Sequence, residues 1–173
     1  MIMRTRLTAL LLAAWLGSAV LSAQTPAGAR PADVETPETI VAALYDVISG
    51  PAGQARDWDR FRHLFAPGAR LMPVAPRKDG SAPAALSPDD YVERTREAFL
   101  KNGFFEKEVA RKAEAFGNVA HVFSTYETRR AAGDAKPMAR GINSIQLMKH
   151  AGRWWILTVA WDQEREGNPL PEK

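Results

Sequence analysis

Glu114 and His121 stand on either side of Gly117-Asn118, a two-residue turn signal that would place them opposite one another on a hairpin. A carboxylate that orients an imidazole fixes its tautomer and raises its basicity, which is how a general base is built. On the wet face of a hairpin, beside Lys112, the same pair is only a cross-strand contact. Asp162 is the other candidate base, at the mouth of a cavity, unless it pairs with Arg140 across the last hairpin. Tyr45 and Tyr126 are candidate hydroxyl donors to a ligand carbonyl. The chain has three histidines on unrelated segments, no cysteine and no HExxH spacing, so no metal site is expected. A glycine-rich phosphate loop and a serine elbow are also missing, and no cofactor is expected.

These residues need elements to hold them. Thr36 caps a first helix with Pro37 in its first turn, Tyr45 at the edge of the stripe Ile40, Val41, Leu44, Val47 and Ile48, and Gly50-Pro51 as the stop. Asp57 caps a short helix that presents Trp58 and Phe61 on one face, either as core or as part of a ligand site. Ala69 to Val74 reads as a short strand, and Arg77 to Leu86 as a loop long enough to act as a flap. Ser87-Pro88-Asp89-Asp90 starts a third helix that runs to Gly103. The period then changes to two, and Phe105–Phe116 and Val119–Arg130 read as paired strands. Ala113, Ala115, Ala120 and Val122 share the small, apolar face that leads to Ser124 and Tyr126.

A second hairpin runs from Met138 to Glu164 and turns at Ala151-Gly152. Its last strand is apolar on both parities. Simple alternation sets Trp154, Ile156, Thr158 and Ala160 on one side, with Asn143 facing Ala160 and Ile145 facing Thr158. On that basis Asn143, Trp154 and Thr158 join Tyr45, Trp58 and Tyr126 as ligand-binding candidates. Trp155, Leu157, Val159 and Trp161 fall on the other side, which no helix remains to cover, so they are expected to form a homodimer interface through the convex sheet face.

The N-terminal stretch MIMRTRLTALLLAAWLGSAVLSAQ has arginines, an apolar run and then small residues, the pattern of a cleavable bacterial export signal. The expected layout is therefore a signal over 1–23, a leader over 24–35, one domain over 36–164 and an extended tail over 165–173, in a secreted or periplasmic protein with no membrane span after cleavage. Losing Arg4 and Arg6 from the 23 basic residues leaves 21 against 20 acidic ones, so the pI near 9.4 gives no reason to expect nucleic acid as a partner.

Helix, short helix, strand, helix and then four long antiparallel strands make an α+β order. Together with ArgAspTrpAspArgPhe from Arg56, ValAlaHisValPheSerThrTyrGlu from Val119, ArgGlyIleAsnSerIleGln from Arg140 and GlyArgTrpTrpIle from Gly152, it resembles the nuclear transport factor 2-like superfamily, in its secreted bacterial SnoaL-like branch. The resemblance implies a cone of three helices on a curved, mostly antiparallel sheet around a central cavity, and it also suggests a dimer. In the ketosteroid isomerase pattern of that superfamily a catalytic acid ends the first strand, whereas the run LeuMetProVal around Pro73 offers no carboxylate. Three readings follow: a cofactor-free domain that binds a small apolar molecule; a cofactor-independent lyase, isomerase or hydrolase using Asp162 or His121 with Tyr45 or Tyr126; and a dimeric assembly module without a ligand.

Overall fold

Two hydroxyls close the first turn of the first helix. The Thr39 N–H donates to the Thr36 hydroxyl at 3.1 Å, and the Thr36 N–H donates to the Thr39 hydroxyl at 3.0 Å. Pro37 occupies a position where a backbone donor would have no partner, and α1 runs over Pro37–Ile48. The Asp57 carboxylate caps α2, Trp58–His63, and the Ser87 hydroxyl with the Asp90 carboxylate caps α3, Pro88–Asn102. The structure, a computed structural model, describes residues 30–74, 80 and 82–171. The expected signal over 1–23, the first part of the leader and part of the loop from Arg77 to Leu86 lie outside the described residues.

The fold begins earlier than Thr36. Residues Pro31–Val34, within the expected leader, form a single 3-10 turn with Asp33 and Val34 buried. Asp33 accepts two hydrogen bonds from the Arg60 guanidinium at 2.8 and 2.9 Å, and Arg60 also reaches Asp46 at 2.5 Å. This clasp ties the incoming chain to α1 and α2, and the fork geometry of arginine suits such a two-sided contact.

Five strands form one sheet: β1 Phe65–Pro73, β2 Phe105–Phe116, β3 Val119–Arg129, β4 Ala139–His150 and β5 Arg153–Gln163. The order is β1-β5-β4-β3-β2, antiparallel throughout except that β1 lies parallel to β5 at one edge. Both expected two-residue turns form, and Ala151 and Gly152 each take positive φ (50° and 78°), the backbone of a tight hairpin whose twist matches the strands. The helices cover the concave face, where Leu44, Phe61, Leu71, Val122, Ile145 and Ile156 belong to one buried cluster. Among the described residues no helix is long and apolar enough to cross a membrane.

Simple alternation fails in β1, where the register shifts between Phe65 and Arg70, and in two strands that build the concave face. In β2 the pairing steps from Glu108–Tyr126 to Ala110–Thr125, which leaves Val109 without a partner. In β5 the pairing steps from Ile156–Leu147 to Thr158–Gln146, which leaves out Leu157. A bulge of one residue exchanges the two faces of the strand beyond it. Asn143 therefore faces Trp161 rather than Ala160, and Ile145 faces Val159 rather than Thr158. Val159 and Trp161, expected on the convex face beside Trp155 and Leu157, turn inward instead. Thr158, Ala160 and Asp162, opposite Gln146, Ser144 and Ile142, turn outward.

Candidate functional site

Between the three helices and the concave face lies a cavity of about 250 Å³. Leu44 and Ile48 of α1, Phe61 of α2, Leu71 of β1, and Val159 and Trp161 of β5 make an apolar wall. Tyr91, Thr95 and Phe99 of α3 close another side. Glu106, near the start of β2, is the one carboxyl in the lining among the described residues, and no cation accompanies it there. It faces inward because its partner across the ladder is the buried Thr128. Burial pushes the Glu106 carboxyl up to about 7, against the opposing effect of a hydrogen bond from Asn143.

Asn143 projects from β4 and donates from Nδ2 to Glu106 Oε1 at 3.2 Å and to the Tyr45 hydroxyl oxygen at 3.0 Å. Tyr45 and Ser124 meet at 2.7 Å, and the Ser124 hydroxyl donates to Glu108 Oε1 at 2.6 Å. Arg111 grips the Glu108 carboxylate with Nε and Nη2, the shortest contact being 2.6 Å. The bulge at Val109 makes this last pair possible, since residues three apart in a regular strand point to opposite faces. Burial drives the Tyr45, Tyr91 and Tyr126 phenols well above the usual range, and the charge of Glu106 adds to each. All three remain neutral, and so able to donate a hydrogen bond, at physiological pH.

A carboxyl poised near neutrality in an apolar chamber, next to neutral hydroxyls, can take a proton from a bound molecule and return it. The expected residues divide around this centre. Tyr126 and Asn143 line the cavity, while Tyr45 stands behind Asn143 and outside the lining. Trp58 packs edge-on to Phe61 and stacks with Phe99 at ring distances of 5.7 and 6.3 Å, so it braces α2 against α3 and does not reach the cavity. Trp154 is buried at the hairpin end of β5, away from the lining, and Thr158 is on the outer face because of the bulge at Leu157. His121 also lies on the outer face, where its Nε2 meets the Ser144 hydroxyl at 3.0 Å and the opposing Glu114 is exposed. Asp162 is bound by Arg165 at 2.5 Å, which holds its carboxyl below the usual range, and Arg140 contacts Glu127 and Glu164 instead. Neither His121 nor Asp162 serves the cavity. Glu106 was not among the sequence candidates. The residues that could have revealed it are Thr128 and Tyr126, whose parity Glu106 and Glu108 share across the hairpin when counted back from Arg129.

No family model matches the chain, and no curated protein does. Solved structures do. A provisionally assigned scytalone dehydratase from Novosphingobium aromaticivorans is 13% identical, with a TM-score of 0.55 over 74% of this chain and 81% of that one. A nuclear transport factor 2-like protein of unknown function from Pseudomonas putida is 10% identical, with a TM-score of 0.56 over 76% of this chain and 87% of the other. A provisionally assigned calcium/calmodulin-dependent protein kinase II association domain from Xanthomonas campestris is 21% identical, with a TM-score of 0.52 over 80% of this chain and 94% of the other. At such identities the likeness is one of architecture, and the architecture of this chain is the α+β fold of the nuclear transport factor 2-like proteins.

Proposed function

We propose that the cavity binds a small, largely apolar molecule carrying one polar group, and that Glu106 exchanges a proton with it, as in a cofactor-independent isomerase or lyase. The observation that carries this reading is the isolation of Glu106, a single carboxyl in an apolar and tyrosine-lined chamber, hydrogen-bonded by Asn143. The likeness in fold to a provisionally assigned scytalone dehydratase is compatible with it. Only the ionised carboxylate can accept a proton, so activity should rise with pH through about 7 and then level off. The test is to incubate the protein in heavy water with a panel of hydroxyl-bearing cyclic ketones and follow deuterium gain at the carbon beside the carbonyl. Glu106 takes the proton from that carbon, exchanges it with solvent, and returns a deuteron. Glu106→Gln is expected to lower the rate about 100-fold or more. If wild-type protein exchanges none of the ketones, while native mass spectrometry of protein from its own host finds a retained ligand, the domain binds without turnover.

Two further parts of this reading concern place and assembly. We propose export with removal of residues 1–23, which N-terminal sequencing of the exported protein would confirm or refute. We also propose a two-fold dimer through the convex face, with a changed set of residues. Val159 and Trp161 serve the cavity, so the outer patch consists of Phe123, Ile142, Met148 and Trp155, with Ser144, Gln146 and Thr158 as its polar part. Phe123 stands 39% exposed, and the likeness in fold to a provisionally assigned association domain is compatible with self-association. Sedimentation should show a dimer that Phe123→Lys with Ile142→Lys converts to a monomer. A wild-type monomer at high micromolar concentration would refute the dimer.

A further inference from the structure

The chain of contacts from Arg111 to Glu106 has a direction. Arg111 holds Glu108 through its guanidinium, and a carboxylate gripped in this way can only accept. Its neighbour Ser124 must therefore spend its single proton on Glu108. The Ser124 oxygen is left as the acceptor for Tyr45, which spends its own proton there. The Tyr45 oxygen is then an acceptor in turn, and the Asn143 amide must present N–H to it. The second amide proton goes to Glu106. At each step one group's need determines the next, and an amide that would otherwise be free to turn over has a single orientation. Asn143 Oδ1 has no hydrogen-bond donor among the described residues, while the side chain itself lines the cavity.

We propose that the Arg111–Glu108 ion pair orients the Asn143 amide through Ser124 and Tyr45, so that the polar end of the cavity is a pair of acceptors, the Glu106 carboxylate and the Asn143 carbonyl, which selects molecules bearing a hydroxyl or N–H donor. Arg111, Glu108, Ser124 and Tyr45 are thus positioning residues that act on the ligand through Asn143. The proposal rests on the cavity being the ligand site, and it adds the class of polar group that the ligand must bring. A molecule with only an ether or a halogen at that end would meet unpaired acceptors, which costs more than a missing contact in open water.

The groups that face Glu106 make the test clean. Tyr45 comes from α1, Tyr91 from α3 and Tyr126 from β3, all kept neutral by burial. The cavity-facing residues of β4 and β5, Asn143, Val159, Trp161 and Gln163, carry no charge, and Asp162 looks outward to Arg165. The nearby charges are those of Glu108 and Arg111 and, along the groove on the other side of Glu106, those of Asp46, Lys107, Glu127 and Arg129, which both variants leave in place. Replacing both at once, Glu108→Gln with Arg111→Gln, leaves the local net charge unchanged while freeing the Ser124 hydroxyl to reverse.

Two readouts decide the proposal. A carbon-13 NMR titration of Glu106 should move upward by about one pH unit in the double variant, because a freed Asn143 no longer holds its N–H on the carboxylate. Ser124→Ala should do the same by cutting the chain in the middle. Fluorescence titration of the wild-type protein should favour 1-naphthol over 1-methoxynaphthalene, the same ring system without the donor, by about tenfold, and this preference should fall towards unity in both variants. A Glu106 midpoint that moves by less than a few tenths of a pH unit in folded variants overturns the network. A wild-type protein that binds both naphthalenes equally overturns the donor preference. If neither binds, the donor preference falls together with the assignment of this cavity as the ligand site, while the NMR titration still decides the network by itself.

Discussion

Replacing Arg56 with methionine should lower the free energy of unfolding by about 3–5 kcal/mol, one of the largest losses available from a single side chain outside the cavity of Glu106. Arg56 is 8% exposed and has no carboxylate partner among the described residues. Its Nε donates to the Ile48 carbonyl at 3.0 Å, Nη2 to Gly50 at 2.5 Å, and Nη1 to Gln54 at 2.5 Å, with Pro51 and Phe99 at 3.4 and 3.5 Å. Ile48 ends α1 and Phe99 lies in the last turn of α3, so one cation serves the negative ends of two helices. Methionine fills much of the same volume but leaves these carbonyls buried with no donor. Burial by itself draws the guanidinium's pKa down, so the site is held by hydrogen bonds and dipoles rather than by an ion pair. Arg56→Lys keeps the charge with fewer, differently directed donors and should recover only part of the loss. A urea titration in which Arg56→Met unfolds within about 0.5 kcal/mol of wild type would show that water replaces the guanidinium at little cost.

Gly141→Val should cost about 3 kcal/mol or more and disturb the cavity at the same time. A Cβ at this position would sit 2.3 Å from the Asp162 carbonyl oxygen and 2.5 Å from the Tyr126 hydroxyl. The first of these is backbone of the neighbouring strand and cannot swing aside. The second belongs to the side chain that crosses Gly141 from β3 and lines the cavity. The glycine is needed here because an aromatic ring lies where a side chain would be, in the middle of a paired strand. Near-ultraviolet circular dichroism should report the displaced tyrosine, and thermal unfolding should report the lost stability. Gly141→Ala makes the same clash with fewer atoms and should show a smaller version of both. An alanine variant with wild-type stability and spectrum would mean that β4 and β5 separate easily at this point, contrary to the tight packing found there.

The features that could be read from the sequence were those fixed by neighbours a few residues away. Thr36, Asp57 and Ser87 cap the helices they were expected to cap, because a cap is decided by one side chain and the next three backbone donors. The turns at Gly117-Asn118 and Ala151-Gly152 hold for the same reason, and counting from them puts Tyr126 and Asn143 on the cavity face, although Asn143 pairs with Trp161 rather than Ala160. Counting failed wherever it passed a bulge. Alternation from Ala113 back along β2 places Glu106 on the outer face, and Val109 reverses it. Alternation from Trp154 along β5 places Thr158 inside and Trp161 outside, and Leu157 reverses both. Neither bulge has a glycine or proline to mark it. Each is set by what the strand must pack against on its two faces, information that lies in other parts of the chain. Asp162 was misjudged for the same geometrical reason, and its partner Arg165 lay in a stretch read only as a tail.

The unpaired Leu157 also divides β5 into two lengths with different surroundings. Before it, Trp154 and Ile156 are committed to the buried cluster on which folding depends. After it, Trp161 and Gln163 face the cavity, and Val159 is shared between the cavity and that cluster. A lineage carrying this strand can therefore substitute Gln163 and, at some cost in packing, Trp161 and alter what the chamber accepts, while Trp154, Ile156 and Val159 remain under a stricter selection for packing. In a regular strand the same inward residues would run without a break from core to chamber. Here one extra residue leaves the far end of the strand, past Val159, more open to change than the scaffold behind it.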